Sequence, residues 1–256
     1  MSLIDRNPVR RDRPRRIALV IANPGVSTTT GWPVGFWWSE LTHPWLAFTE
    51  AGYRVDVFSP DGGGCVGDAM SDPDDASGYA ADDVVSRGYI HTPALRALVE
   101  TTRPVGEAAI DDYDALVVAG GQAPMFNFEH AHALTERFVA FHDAGKVVAA
   151  LCHGTAVLRW ARRADGTPLV AGRTVTGFAN VEEDAADAAV WGMGLLPRDR
   201  HVMPWRIEDE LGKLGANYVQ AGAWRPYAVR DGNLDTGQQN FSGAETARAV
   251  IAALGA

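Results

Sequence analysis

Short apolar runs alternate with longer stretches of helical periodicity from residue 17 to the end of the chain. Residues 17–22 (IALVIA), 114–119 (DALVVA) and 147–151 (VVAAL) are nearly continuous apolar runs of strand length. Such runs mark strands covered on both faces. Residues 53–58 alternate polar and apolar side chains and predict a further strand. Between these runs apolar positions recur at helical spacing. Trp45, Leu46 and Phe48 precede a stop at Gly52; Leu134, Phe138 and Phe141 share one face; Ala156, Val157 and Trp160 follow residues 147–151. Ala247, Val250, Ile251 and Leu254 predict a closing amphipathic helix. Weaker patterns place a short strand at 174–176, a lid or cap at 191–204 and a helix at 206–214. Residues 218–220 and 228–229 read as edge strands, and 234–237 as a final strand. Residues 60–104, rich in Gly, Pro and Asp, read as a solvated excursion with one short helix near 95–98. Strands alternating with helices imply an α/β fold: a mainly parallel sheet with helices on both faces and a small cap or lid.

At 256 residues and 46% hydrophobic content the chain can build one large core. The expectation is a single domain over 15–256, preceded by a disordered basic arm over 1–14, where Asp5, Asp12, Pro8 and Pro14 interrupt the arginines. A net charge of −9 argues against nucleic acid as a partner. No apolar stretch is long enough for a signal peptide or a membrane span, so no membrane partner is expected. Two cysteines, Cys65 and Cys152, make no disulfide framework and suit a reducing, cytoplasmic compartment. Cys65, in a glycine-rich loop, reads as a bystander. The triple glycine at 62–64 does not open a helix after a strand, so no nucleotide cofactor is expected. Glu129, His130 and His132 lack a diagnostic metal spacing, and no metal is expected.

Candidate chemistry centres on Cys152, placed where a buried strand turns into a helix. Such a turn presents its side chain at the carboxyl edge of a sheet beside free helix N–H groups, as in a nucleophile elbow. The helix dipole and the adjacent His153 predict a thiolate-favouring environment. Glu40, among Trp37, Trp38 and Leu41, is expected to be poorly solvated and to hold a raised pKa. Gly120-Gly121 after the strand at 114–119 leaves room for backbone N–H groups to approach an oxyanion, with Gly121 and His153 as the donors.

Further blocks run in order along the chain: 35–44 (GFWWSELTHP), 51–55 (AGYRV), 59–63 (SPDGG), Gly120-Gly121, 150–154 (ALCHG), 176–183 (TGFANVEE) and 236–240 (TGQQN). With these blocks the sequence resembles the ThiJ/PfpI superfamily of the class I glutamine-amidotransferase-like fold. The resemblance is closer to the glyoxalase III and heat-shock chaperone branch. It implies a flavodoxin-like three-layer sandwich, a homodimer, no cofactor and a small-molecule carbonyl or amide substrate. It further implies Cys152 as nucleophile, His153 as its acid/base partner, Glu183 as the group orienting the imidazole, and Glu40 as the acid near the thiol. Glu182 competes with Glu183 for that place. Trp37 and Trp38, with Trp191 and Trp205, are expected nearest the substrate. Residues 120–125 (GGQAPM) depart from the Gly-Gly-His-Gly found in many relatives, which leaves Gln122 as the side-chain donor of that wall. Three activities stay open: 2-oxoaldehyde conversion as in glyoxalase III with a deglycase variant, C–N hydrolysis through an acyl-thioester, and a stress holdase.

Overall fold

The computed structural model describes residues 14–255, so the expected arm, apart from Pro14, lies outside the described residues. In chain order the elements are β1 (Arg16–Val20), β2 (Gly25–Val26), β3 (Pro33–Val34), α1 (Trp38–Glu50), β4 (Arg54–Ser59), α2 (Val84–Ile90), α3 (Pro93–Glu100) and β5 (Arg103–Pro104). They continue with β6 (Ala115–Val118), α4 (Pro124–Asn127), α5 (His132–Asp143), β7 (Val147–Leu151), α6 (Val157–Trp160), β8 (Thr174–Val175) and α7 (Asn180–Gly192). The chain closes with α8 (Ile207–Lys213), β9 (Asn217–Tyr218), β10 (Ala228–Asp231), β11 (Leu234–Gly237) and α9 (Gly243–Leu254).

Seven strands form one sheet in the order β10-β11-β7-β6-β1-β4-β5. All neighbours pair in parallel except the β10–β11 hairpin at one edge. Within it β4-β1-β6-β7-β11 is the flavodoxin-like order, whose direction reverses between β1 and β6. The apolar runs are continuous because both faces of the sheet are covered. Ile17 and Leu19, Ala115 and Val117, and Val147 and Ala149 pack on one side against α1 and α9. Their alternates Ala18 and Val20, Leu116 and Val118, and Val148 and Ala150 pack on the other, with Leu134, Phe138 and Phe141 of α5. Three layers result, as expected.

Two regions differ from the sequence pattern. Residues 60–104 hold α2, α3 and the edge strand β5, and Asp68, Ser71 and Ser86 within them are buried. Composition suggested solvation, yet these polar groups serve as hydrogen-bond partners for other buried segments. Tyr218 lies in β9, which pairs with β8 in a separate two-stranded ribbon; only β10 of the two expected edge strands borders the main sheet. No helix among the described residues is long and apolar enough to cross a membrane.

Candidate active site

The reversal of strand order between β1 and β6 leaves a crevice outside the carboxyl ends of the strands, the usual ligand position in open α/β sheets. Three connections meet there: the segment from β1 into α1, the turn after β6 and the turn after β7. Cys152 directly follows β7 and begins a single 3-10 turn, Cys152–Ala156, that feeds α6. Its φ is +55°, a left-handed conformation that a non-glycine residue holds only under tertiary constraint. That strain aims the sulfur out of the strand.

The two glycines after β6 make the approach possible. A Cβ at Gly120 would stand 2.8 Å from the His153 nitrogen and 2.9 Å from a Glu40 carboxylate oxygen. Gly121, at φ +106°, would meet the Phe36 backbone at 2.5 Å. With no side chains there, Trp37 N–H donates to the Gly120 carbonyl at 3.2 Å and Ala123 N–H to the Gly35 carbonyl at 3.0 Å. The backbone N–H groups of Gly121 and His153 lie close enough to the Cys152 sulfur to favour its charged form.

Glu40, in the first turn of α1, is fully buried and accepts a hydrogen bond from Gly120 N–H at 2.7 Å. Its other oxygen, Oε1, has no partner of ordinary geometry, and the carboxyl group lies against the Cys152 thiol. Desolvation raises its pKa to about 8, partly offset by hydrogen bonds from the Cys152 thiol and Gly120. The thiol is also pushed up, first by burial and then by the Glu40 charge, against the helping N–H groups of His153 and Gly121. The helix-start position predicted the opposite direction for Cys152. Burial outweighs the local dipole here, and the facing carboxylate opposes a second negative charge, so thiol and carboxyl titrate as one pair.

His153 is also buried. Its Nδ1 stands 3.8 Å from Cys152 Sγ and its Nε2 3.0 Å from Glu183 Oε1. With Nε2 engaged by the carboxylate, Nδ1 is the ring nitrogen that faces sulfur. Phe178 stacks on the imidazole at 4.2 Å between ring centroids and holds its plane. Glu182 faces elsewhere: it accepts from Ala179 N–H at 2.9 Å, Gln238 Nε2 at 2.6 Å and Trp224 N–H at 3.1 Å. Thus Glu183, and not its neighbour, meets the histidine.

In front of Cys152 lies a cavity of about 240 Å³, lined by Trp37, Gly121, Gln122, His153 and a largely apolar wall. Trp38 does not line it. This residue packs with Phe36 and Tyr89 on the far side of its backbone and borders another recess, because successive residues at a helix start point apart. Trp205 packs on Trp160 and Arg159, and Trp191 donates to the Arg200 carbonyl; neither lines the cavity. Trp32 and Trp224 do, and no local pattern marked them. The wall from α7 was legible in principle, since Ala185, Ala186, Ala189, Val190 and Met193 follow helical spacing. Acidic residues interleaved with them hid that face.

Asp68 was also missed. One carboxylate oxygen accepts from Gly35 N–H at 2.8 Å, the other from Gln122 N–H at 2.7 Å. It thereby clamps the first connection to the glycine turn, and burial raises its pKa to about 7. Cys65 lies in a different recess, with its thiol pushed up by burial.

Fold and site together define a flavodoxin-like α/β protein built around a cysteine at a strand-to-helix elbow. Residues 34–192 match the model of the DJ-1/PfpI family, and the chain belongs to that family. Glutathione-independent glyoxalase HSP31 of Saccharomyces cerevisiae is 28% identical over 244 residues, covering 94% of this chain and 98% of that protein. The probable glutathione-independent glyoxalase hsp3103 of Schizosaccharomyces pombe is 28% identical over 242 residues, covering 86% and 90% respectively. Among solved structures, glyoxalase III from Candida albicans superposes with a TM-score of 0.73 at 25% identity, covering 93% of this chain and 97% of that one. The Rapid Encystment Protein 24 kDa of Francisella tularensis gives 0.81 at 25% identity, covering 94% and 99%.

Proposed function

We propose that this protein is a glutathione-independent glyoxalase, converting a 2-oxoaldehyde such as methylglyoxal to the corresponding 2-hydroxy acid. The observation that carries the reading is a strained, cavity-facing Cys152 with His153–Glu183 on one side and a protonatable Glu40 on the other. The glyoxalase names of relatives that span most of the chain support it. An internal thiol takes the part that glutathione would otherwise play.

The Cys152 sulfur adds to the aldehyde carbon while its proton passes by way of His153 Nδ1 to the former carbonyl oxygen, giving a neutral hemithioacetal. Once sulfur is bound to carbon, the charge conflict with Glu40 is gone. The Glu40 carboxylate then removes the hydrogen on that carbon, and the electron pair moves onto the neighbouring carbonyl oxygen as an enediolate. N–H groups of Gly121 and His153 stabilise the developing oxyanion. The hydroxyl proton shifts between the two oxygens through His153, and Glu40 returns its proton to the second carbon. A thioester of the 2-hydroxy acid results. Water, activated by His153, releases the acid and restores the thiol. No external oxidant or reductant is needed, because one carbon is oxidised as its neighbour is reduced. A pKa of about 8 suits Glu40 to both taking and returning the proton near neutral pH.

The reading includes a homodimer in the cytoplasm; two free cysteines support a reducing compartment. Incubating metal-free protein with methylglyoxal and measuring lactate tests the activity. Wild type should form lactate, and Cys152→Ala should lose at least about a thousandfold in kcat. Absence of lactate, or equal turnover by the variant, overturns the proposal; an acyl adduct on Cys152 formed from an amide would point to C–N hydrolysis instead.

A further inference from the structure

The reaction requires only a dicarbonyl group, yet the cavity is far larger than methylglyoxal. An apolar cavity of about 150 Å³ holds benzene, and methylglyoxal has fewer heavy atoms than benzene. The cavity before Cys152 measures about 240 Å³. Its chemistry is as uneven as its size. Among the described residues no lysine, arginine, aspartate or glutamate lines it, and beyond the reactive groups and the tryptophan indoles the polar residues of its lining are Gln122, Asn240 and Tyr79. Among the described residues, a substrate bearing a carboxylate or phosphate would meet no lysine or arginine in that lining. The remaining wall is aromatic and aliphatic, built by Trp32, Phe178, Val190, Met203 and Trp224.

Three features show that this space is built rather than left over. Alanines 185, 186 and 189 on α7 face the cavity, where larger side chains would fill it. The rim keeps large apolar side chains in water: Met70 is 45% exposed, Tyr79 49%, Met193 64% and Trp224 37%. Apolar surface of this kind around a recess marks a binding site. Trp224 is also held at φ +60°, with its N–H bonded to Glu182 and its ring against Phe178 at 5.9 Å. Phe178 in turn stacks on His153, so the apolar wall is continuous with the reacting groups. Strain at a bulky residue persists only where surrounding contacts impose it.

We infer that this protein prefers 2-oxoaldehydes carrying a ring-sized apolar substituent, the arylglyoxal class, over methylglyoxal, with α7 and Trp224 setting that preference. The inference rests on the glyoxalase reading and deepens it. The dicarbonyl meets Cys152 as in the mechanism above, and the substituent lies among Phe178, Trp224 and the α7 alanines.

Phenylglyoxal and methylglyoxal, assayed side by side for mandelate and lactate, test it. The kcat/KM for phenylglyoxal should exceed that for methylglyoxal by at least about tenfold, since even a single methylene in an apolar pocket is worth about that much. Ala186→Phe, which fills the cavity, should lower the phenyl-to-methyl ratio by at least about tenfold. Trp224→Ala, which removes a wall, should lower the same ratio and serves if the first variant does not fold. Equal or better use of methylglyoxal by wild type overturns the inference, as does a ratio unmoved by the folded variants. Turnover of neither compound defeats the glyoxalase reading and leaves the pocket to be judged by calorimetry. Acetophenone binding at least about tenfold tighter than acetone then upholds the apolar preference, and equal binding removes it.

Discussion

Glu40 and Cys152 are buried against each other so closely that they cannot both carry charge without a large penalty. The consequence is visible in the pH dependence of stability. Glu40 holds its proton to about pH 8 in the folded protein against an ordinary value of 4.5. Below about pH 4.5 both folded and unfolded states are protonated and the difference vanishes. As pH rises toward 8 the unfolded chain releases a proton that the folded state keeps, so stability falls across that window. Glu40→Gln removes this penalty. The variant's Tm minus that of wild type should therefore grow between pH 5 and pH 8.5, by about 5 °C or more. A pH-independent difference in thermal unfolding would show that Glu40 is not the titrating group. Activity should move the other way, by about 10²-fold or more in kcat, because glutamine neither takes nor returns a proton. Asp68, also raised, acts in the same direction over a lower window ending near pH 7.

At the scale of elements, the start of α7 shows how one helix turn serves two purposes. Glu182 and Glu183 are consecutive, about 100° apart around the axis, so they cannot serve the same partner. Glu183 orients the imidazole, and Glu182 gathers Ala179, Gln238 and the strained Trp224. Glu183→Gln should lower kcat by at least about a hundredfold while thermal stability changes little, since loss of the orienting carboxylate leaves the wrong tautomer. Glu182→Gln should instead destabilise the fold by about 1–3 kcal/mol through unsatisfied buried donors. Steady-state kinetics and thermal unfolding of both variants check the division. The reverse pattern would exchange their roles. Sequence spacing left both glutamates open because it carries no information about which way a helix is turned against its sheet.

For the molecule as a whole, rigidity is concentrated where both faces of the sheet are covered. Strands β1, β6 and β7 sit at its centre, with apolar layers on each side and almost no exposed residue. The turns of the candidate site hang directly from their carboxyl ends, so the site inherits its precision from the most buried elements. Hydrogen exchange followed by mass spectrometry should find the slowest amides in these three strands. Exchange should be fastest in the segment between α7 and α8 and in the edge strand β10, whose backbones are less covered. Equal protection of β10 and β7 would contradict this distribution.

How much could be read in advance follows from the range of each interaction. Continuous apolar runs and helical periodicities act over a few residues, so they revealed β1, β6, β7, α5 and α9 and the three-layer arrangement. The elbow at Cys152 was legible for the same reason, as were the glycines beside it and the buried acid at Glu40. Asp68, Trp224 and the displaced Trp38 were not, since their places depend on segments far along the chain: Asp68 joins Gly35 to Gln122, and Trp224 answers to Glu182. The direction of the Cys152 shift belongs with them, because desolvation and the Glu40 charge exist only once the layers close. Local pattern thus determined the main elements and put forward Cys152, His153, Glu40 and Gly121 as candidates. Tertiary packing alone decided their protonation, the choice between adjacent glutamates and the size of the space before the thiol, because burial and facing charge arise only between distant parts of the chain.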